Sequence, residues 1–188
     1  MSEDLTPTGG PVFQLKVTLE GIRPPIWRTL QVRAGMTLAE FHDLLQVAFY
    51  WWDYHLHEFT AGGHEYGVED PEWPRGVRDE RAYTIGSILK KTKDTMMYEY
   101  DFGDGWRHKI VLEKIFEPDP TTKYPRCIKG KRSAPPGDCG GIGGYMNLLA
   151  VLGDPEHEEH AEYLEWVDDS FDPEAFSLEE INAALGVV

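Results

Sequence analysis

The chain has 188 residues, 41% apolar and 12% aromatic, the make-up of a globular protein large enough for a full core and unlike that of a disordered chain. A formal charge of −15 disfavours non-specific contact with nucleic acid or anionic membrane. No apolar run approaches the roughly 20 residues of a membrane helix, and two cysteines are too few for a disulfide scaffold, so a reducing cytoplasm is the expected compartment. The start, MSEDLTPTGG, has neither the basic nor the apolar stretch of a secretion signal, and residues 1–10 are expected to be a flexible N-terminus. The charge is uneven: residues 1–132 carry all 18 Lys and Arg against 20 acids, and residues 133–188 carry 13 acids with no Lys or Arg. That acidic third is read as solvated helix faces or as a surface for a basic partner.

Phe13–Leu19 alternates as a half-buried strand, and Gly21 to Pro25 turns the chain. Ile26–Val32 follows as a strand whose Ile26, Leu30 and Val32 face is interrupted by Arg28. Thr37 with Glu40 has the spacing of a capping box and opens a helix carrying Leu38, Phe41, Leu45 and Ala48 on one stripe. Leu56–Thr60 and His64–Val68 read as short strands about Gly62-Gly63. Residues 69–81 read as a long exposed loop, and Thr84 caps a short helix.

The segment Tyr98–Ile110, YEYDFGDGWRHKI, reads as a hairpin. A three-residue loop over Gly103, Asp104 and Gly105 sets Phe102 opposite Trp106, Tyr100 opposite His108 and Tyr98 opposite Ile110. The other face then pairs Asp101 with Arg107 and Glu99 with Lys109. Gly105 suits the left-handed position that closes such a loop. Residues 117–144 form a Pro/Gly-rich clasp, and three acidic helices are expected over 145–188, beginning near Tyr145, at Asp154-Pro155-Glu156 and at Ser177. The fold class is α+β: a mixed or antiparallel sheet in β-grasp (ubiquitin-like) element order, with docked C-terminal helices. It is divided as 11–116 sheet core, 117–144 clasp and 145–188 helices within one domain, 11–188.

No constellation closes into a catalytic set. Cys127 and Cys139 lack paired C-x-x-C spacing. They are read as small buried thiols, as half of a zinc site completed by His108 or His55, or as a redox pair. His55 and His57 would share a strand face, a placement open to metal binding or to rim packing. The pair His157 and His160 lacks the Glu placement of HExxH. His108 lies on the aromatic hairpin face, where a lone histidine is usually a hydrogen-bonded core residue. The run Gly140–Gly144 before a helix admits an anion or close backbone packing.

The motif YxYDFGDGWxH, then Cys127, then PPGDCGG over 135–141 and Tyr145, resembles one prokaryotic family. It is named for the third open reading frame of a root-inducing (Ri) plasmid. LKVTLEGIRPPIWRTLQV and LAEFHDLLQVAFYW are similar to it too, and the resemblance spans Phe13 to Leu185. Family members usually carry Glu where this chain has Gly137. The resemblance implies a plasmid- or mobile-element-associated protein, often labelled transposon resolvase-like. The residues argue against recombinase chemistry, since no histidine has an arginine three residues later and no serine sits amid arginines.

Two readings follow. The first is a non-catalytic protein-interaction module with a basic-surfaced protein as partner, no nucleic acid, no membrane and no cofactor. Its binding residues are Asp104, Trp106, His108, Asp138 and Tyr145. The second is a metal-dependent hydrolase or other enzyme using Asp104 and His108 of the hairpin with Cys127 and Cys139 of the clasp.

Overall fold

The structure is a computed structural model and describes residues 10–69, 72, 74–167 and 171–187. Of the expected flexible N-terminus only Gly10 falls among them. Among these residues eight strands form one sheet: β1 (Val12–Leu19), β2 (Trp27–Arg33), β3 (His57–Ala61), β4 (His64–Gly67), β5 (Arg78–Asp79), β6 (Thr95–Tyr100), β7 (Trp106–Phe116) and β8 (Arg126–Lys131). Their order is β5-β4-β3-β6-β7-β1-β2-β8, antiparallel throughout except for the short β4–β5 pair. Among the described residues five α-helices accompany the sheet: α1 (Leu38–Ala48), α2 (Ile85–Ile88), α3 (Gly141–Leu152), α4 (His160–Val167) and α5 (Leu178–Ala184). The class is therefore α+β, with β1 bordered by β2 and β7, both antiparallel.

Helix starts obey local hydrogen bonding. Thr37 accepts from the Glu40 N–H, while the Glu40 carboxylate accepts from the Thr37 N–H, so two orphan donors of α1 are satisfied. Leu38, Phe41, Leu45 and Ala48 then enter the same buried cluster as Leu15, Val17, Leu30 and Ile110 of the sheet. Thr84 caps α2 in the same way with Ser87, and the Ser177 hydroxyl caps α5 by accepting from the Glu180 N–H. β1 is buried on nearly every residue, more than the half-buried strand its alternation suggests, because neighbours flank it on both sides. Arg28, the interrupter of β2, is fully buried. Its guanidinium donates to the Ala48, Trp27 and Lys131 carbonyls and lies over the Phe49 and Phe176 rings. Burial pulls its pKa down to about 10, still charged at neutral pH.

The hairpin differs from expectation by two residues. Tyr100 pairs with Trp106, Tyr98 with His108, Met96 with Ile110 and Glu99 with Arg107. Phe102 is left exposed instead of facing Trp106. The cause is Asp101. It takes a left-handed backbone, its carboxylate accepts from the Gly103 and Asp104 N–H groups, and its carbonyl accepts from Gly105. These bonds tie residues 101–105 into a five-residue loop, closed by left-handed Gly105. A shift of two keeps every side chain on its face. The aromatic face therefore survives, while Asp101 is withdrawn from the expected pairing with Arg107.

Two other segments depart from the reading. The expected exposed loop 69–81 contains β5 and leads into a 3₁₀ turn over Glu80–Ala82, where Glu80 is buried against His57. The helix expected at Asp154 starts instead at His160. Asp154 accepts from the Glu156 and His157 N–H groups and closes turns there, and the His160 Nδ1–H donates to the Val151 carbonyl at 2.9 Å. Tyr145, Leu148 and Ile181 join the buried cluster of the sheet. Trp166 of α4 is half-exposed.

Candidate functional site

Loop 49–56 joins α1 to β3 and reads FYWWDYHL. Its end is fixed to the hairpin: the Tyr54 N–H donates to the Tyr100 hydroxyl at 3.1 Å, and the Asp101 N–H donates to the Leu56 carbonyl at 2.9 Å. Trp51 turns inward, stacks on Tyr100 and Trp106, and donates its indole N–H to the Pro135 carbonyl at 3.0 Å. That bond ties the loop to the clasp. Trp52 and Tyr54 stand 78% and 80% exposed, and Tyr50 is half-exposed. Between the loop and residues 133–138 runs a groove of about 340 Å³, floored by Trp51 and Tyr100 and edged by Trp52, Tyr54, His55, Pro135, Pro136 and Asp138.

At one end of this groove His55 Nε2 lies 3.3 Å from Asp138 Oδ1 and 3.6 Å from Asp101 Oδ2. A second group lies on the other side of the loop. His42 and His57 stack with ring centroids 3.4 Å apart. His42 bonds Asp53 at 2.9 Å and the Tyr98 hydroxyl at 2.8 Å, and His57 bonds buried Glu80 at 2.8 Å. Gln46 completes the network by donating to Tyr98 and accepting from the Asp53 N–H. Burial first, and then the neighbouring His57, lower the His42 pKa, so it is neutral at pH 7.

The residues singled out from sequence do not meet on one surface. Trp106, His108 and Tyr145 are core residues, so a partner cannot touch them directly. His108 Nδ1 bonds the Trp106 carbonyl at 3.0 Å, and its ring meets Phe49 and Trp51 edge-on. Burial drops its pKa to about 3. Asp104 is half-buried, with its backbone against Gly141, where an added Cβ would come 2.6 Å from the Asp104 carbonyl oxygen. Close packing thus explains this glycine. Only Asp138 reaches the groove. Among the described residues, five buried polar atoms make no hydrogen bond, and four of them are Asp104 Oδ2, Trp106 Nε1, His108 Nε2 and the Tyr145 hydroxyl.

Both cysteines are free. Cys127 is buried on β8, and burial pushes its thiol up to about 11. Cys139, before α3, is pushed up to about 12 by burial and then by the Asp104 charge. Neither is a thiolate at neutral pH. The sequence reading missed Asp101 as a positioned carboxylate and His55 as its neighbour. The β3–β6 pairing that brings them together is invisible in either segment alone.

The plasmid pRiA4b ORF-3-like protein family matches residues 11–180. The chain belongs to that family. Within this ORF-3-like family it is 38% identical over 176 residues to the uncharacterized protein y4hQ of Sinorhizobium fredii, covering 93% of this chain and 90% of that one. Among solved structures it is similar to MM3350 from Methanosarcina mazei Go1, a protein of unknown function. That match has a TM-score of 0.84 and 38% identity, over 92% of this chain and 97% of the other. The ORF-3-like resemblance read from the hairpin and clasp motifs is therefore correct, and MM3350 shares the fold.

Proposed function

We propose that the protein is a non-catalytic binding module, that its contact face is the aromatic groove between loop 49–56 and the clasp, and that its partner is a protein with a basic surface. The observation that carries this is the exposure of Trp52 and Tyr54 side by side on a loop pinned to the sheet by Trp51 and Tyr100. Rigid exposed aromatics beside a groove are the usual anchors of protein interfaces. The 13 acids of residues 133–188 suit a basic partner, whose arginines would stack on Trp52 or Tyr54 and pair with Asp138. The same charge disfavours nucleic acid. The β-grasp-like element order supports this reading only by analogy, since fold does not specify function. The enzyme reading is less favoured: His108 is buried and neutral, and both thiols stay protonated.

The test is cross-linking mass spectrometry on proteins bound by the tag-free chain in its host, with wild type and a Trp52→Ala/Tyr54→Ala variant. Cross-links at residues 50–56 and 133–138 to a basic protein, lost in the variant, are expected. Partners retained by the variant, or sub-micromolar salt-sensitive binding to duplex DNA, would overturn the proposal.

A further inference from the structure

We propose that His55, Asp101 and Asp138 form a binding site for one divalent first-row transition-metal ion, of the zinc type, at the end of the groove. This goes beyond the binding-module reading and does not rest on it. The three donors come from loop 49–56, the hairpin turn and the clasp, and their ligand atoms all lie within 4.8 Å of one another.

The spacing favours a shared cation over a direct ion pair. A charge-assisted N–H···O bond is about 2.7–2.9 Å long, whereas His55 Nε2 stands 3.3 and 3.6 Å from the two carboxylate oxygens. A metal with bonds of about 2.0–2.2 Å holds its donors roughly 3–3.6 Å apart. The contrast with His42, Asp53 and His57 is direct. There Asp53 sits 2.9 Å from His42 Nε2 and Glu80 2.8 Å from His57 Nε2, so these nitrogens are already used.

Asp101 is prepared for such a role. Its Oδ1 is occupied by the Gly103 and Asp104 N–H groups, which orients Oδ2 toward His55. This is the outer-shell support that fixes a metal-ligating carboxylate. Charge points the same way. No Lys or Arg forms an ion pair with Asp101, Asp104 or Asp138 among the described residues, and Asp104 keeps one buried carboxylate oxygen without a partner on the same loop. A divalent cation is the missing counter-charge.

One imidazole with two carboxylates suits a first-row transition ion better than Mg²⁺ or Ca²⁺, which take oxygen donors. Three protein donors leave coordination positions open, and His55 and Asp138 both line the groove. A bound ion would therefore present those positions to water or to an oxygen donor of whatever occupies the groove.

The experiment is calorimetric titration of tag-free, chelator-stripped full chain with Zn²⁺, and with Mg²⁺ as comparison. Wild type is expected to bind one Zn²⁺ per chain and Mg²⁺ far more weakly. His55→Ala should weaken Zn²⁺ by about 100-fold, the upper end of what even an outer-shell loss costs. Asp138→Ala, on an exposed side chain, should also weaken it and tests the site without touching the hairpin. Cys139→Ser and His57→Ala should leave it unchanged. Zn²⁺ binding that survives both His55→Ala and Asp138→Ala, that is lost in Cys139→Ser, or that is absent from wild type would overturn the proposal. Separately, loss of partner cross-links in Trp52→Ala/Tyr54→Ala with Zn²⁺ affinity intact would show that groove and ion stand independently.

Discussion

Loop 49–56 supplies a residue to each of two histidine–carboxylate groups, and the two are built in opposite ways. Asp53 joins His42, His57 and Glu80 in a stacked network in which the carboxylates meet ring nitrogens at hydrogen-bond distance. His55 faces Asp101 and Asp138 across wider gaps, with Asp138 76% exposed. The residue types are nearly the same. What separates them is whether the polar atoms already have partners. A closed group spends its hydrogen bonds on holding α1, β3 and the 3₁₀ turn together, and an open one keeps donors free for something else.

The largest effect is expected in the buried aromatic core on which loop 49–56 and both groups rest. Trp106→Ala should cost about 3–5 kcal/mol in urea unfolding at pH 7, because the indole is buried against Trp51. An unchanged midpoint would mean that the hairpin face is not packed as described.

Acid should act on the same core next. The folded-state pKa of His108 is pushed down to about 3 from an ordinary 6.5, so the unfolded chain binds its proton first. That stability is complete above pH 6.5 and falls as pH drops from there toward 3, by up to about 1.4 kcal/mol per pH unit for this group. His42, also lowered, adds in the same direction. Unfolding followed at pH 7.5, 5.5 and 4.5 should show the decline, and His108→Gln should flatten part of it. A slope identical to wild type would show that His108 is accessible when folded.

The smallest effect is the sharpest discriminator. Glu80→Gln weakens a buried pair and should cost about 1–3 kcal/mol. His55→Ala should lie within about 0.5 kcal/mol of wild type in metal-free buffer, the range of surface changes. Thermal melts of the two variants side by side decide it, and an equal loss in both would erase the distinction between the groups.

Much of the fold was legible because its signals are local. The caps at Thr37, Thr84 and Ser177 need only a hydroxyl and a free N–H three residues on, and all three form. Arg28 was visible as an interruption, though its partners on α1 and β8 were not. The hairpin register was missed by two because faces repeat every two residues, so side-chain pattern alone cannot choose between the two offsets. A loop hydrogen bond decided it. The candidate site was least legible: His55, Asp101 and Asp138 sit in three segments that only β3–β6 pairing and the Trp51–Pro135 bond bring together. Trp106, His108 and Tyr145, by contrast, stood out through a motif that encodes packing.

One small contact at the far edge of the sheet bears on how the molecule behaves in a crowd. Asn182 of α5 accepts from the Cys127 N–H and donates to the Cys127 carbonyl, both at 2.9 Å. Its amide thus occupies the place that a ninth strand would take along β8. An outermost strand with free backbone groups is a template for another chain, and proteins blunt such rims with covers and lysines. Here the hydrogen-bonding cover hangs from a seven-residue helix, beside the Phe176 ring packed on Gly130 and flanked by Lys129 and Lys131 on the strand itself. Loosening α5 would uncover that rim, so the last helix guards the protein against sticking to copies of itself.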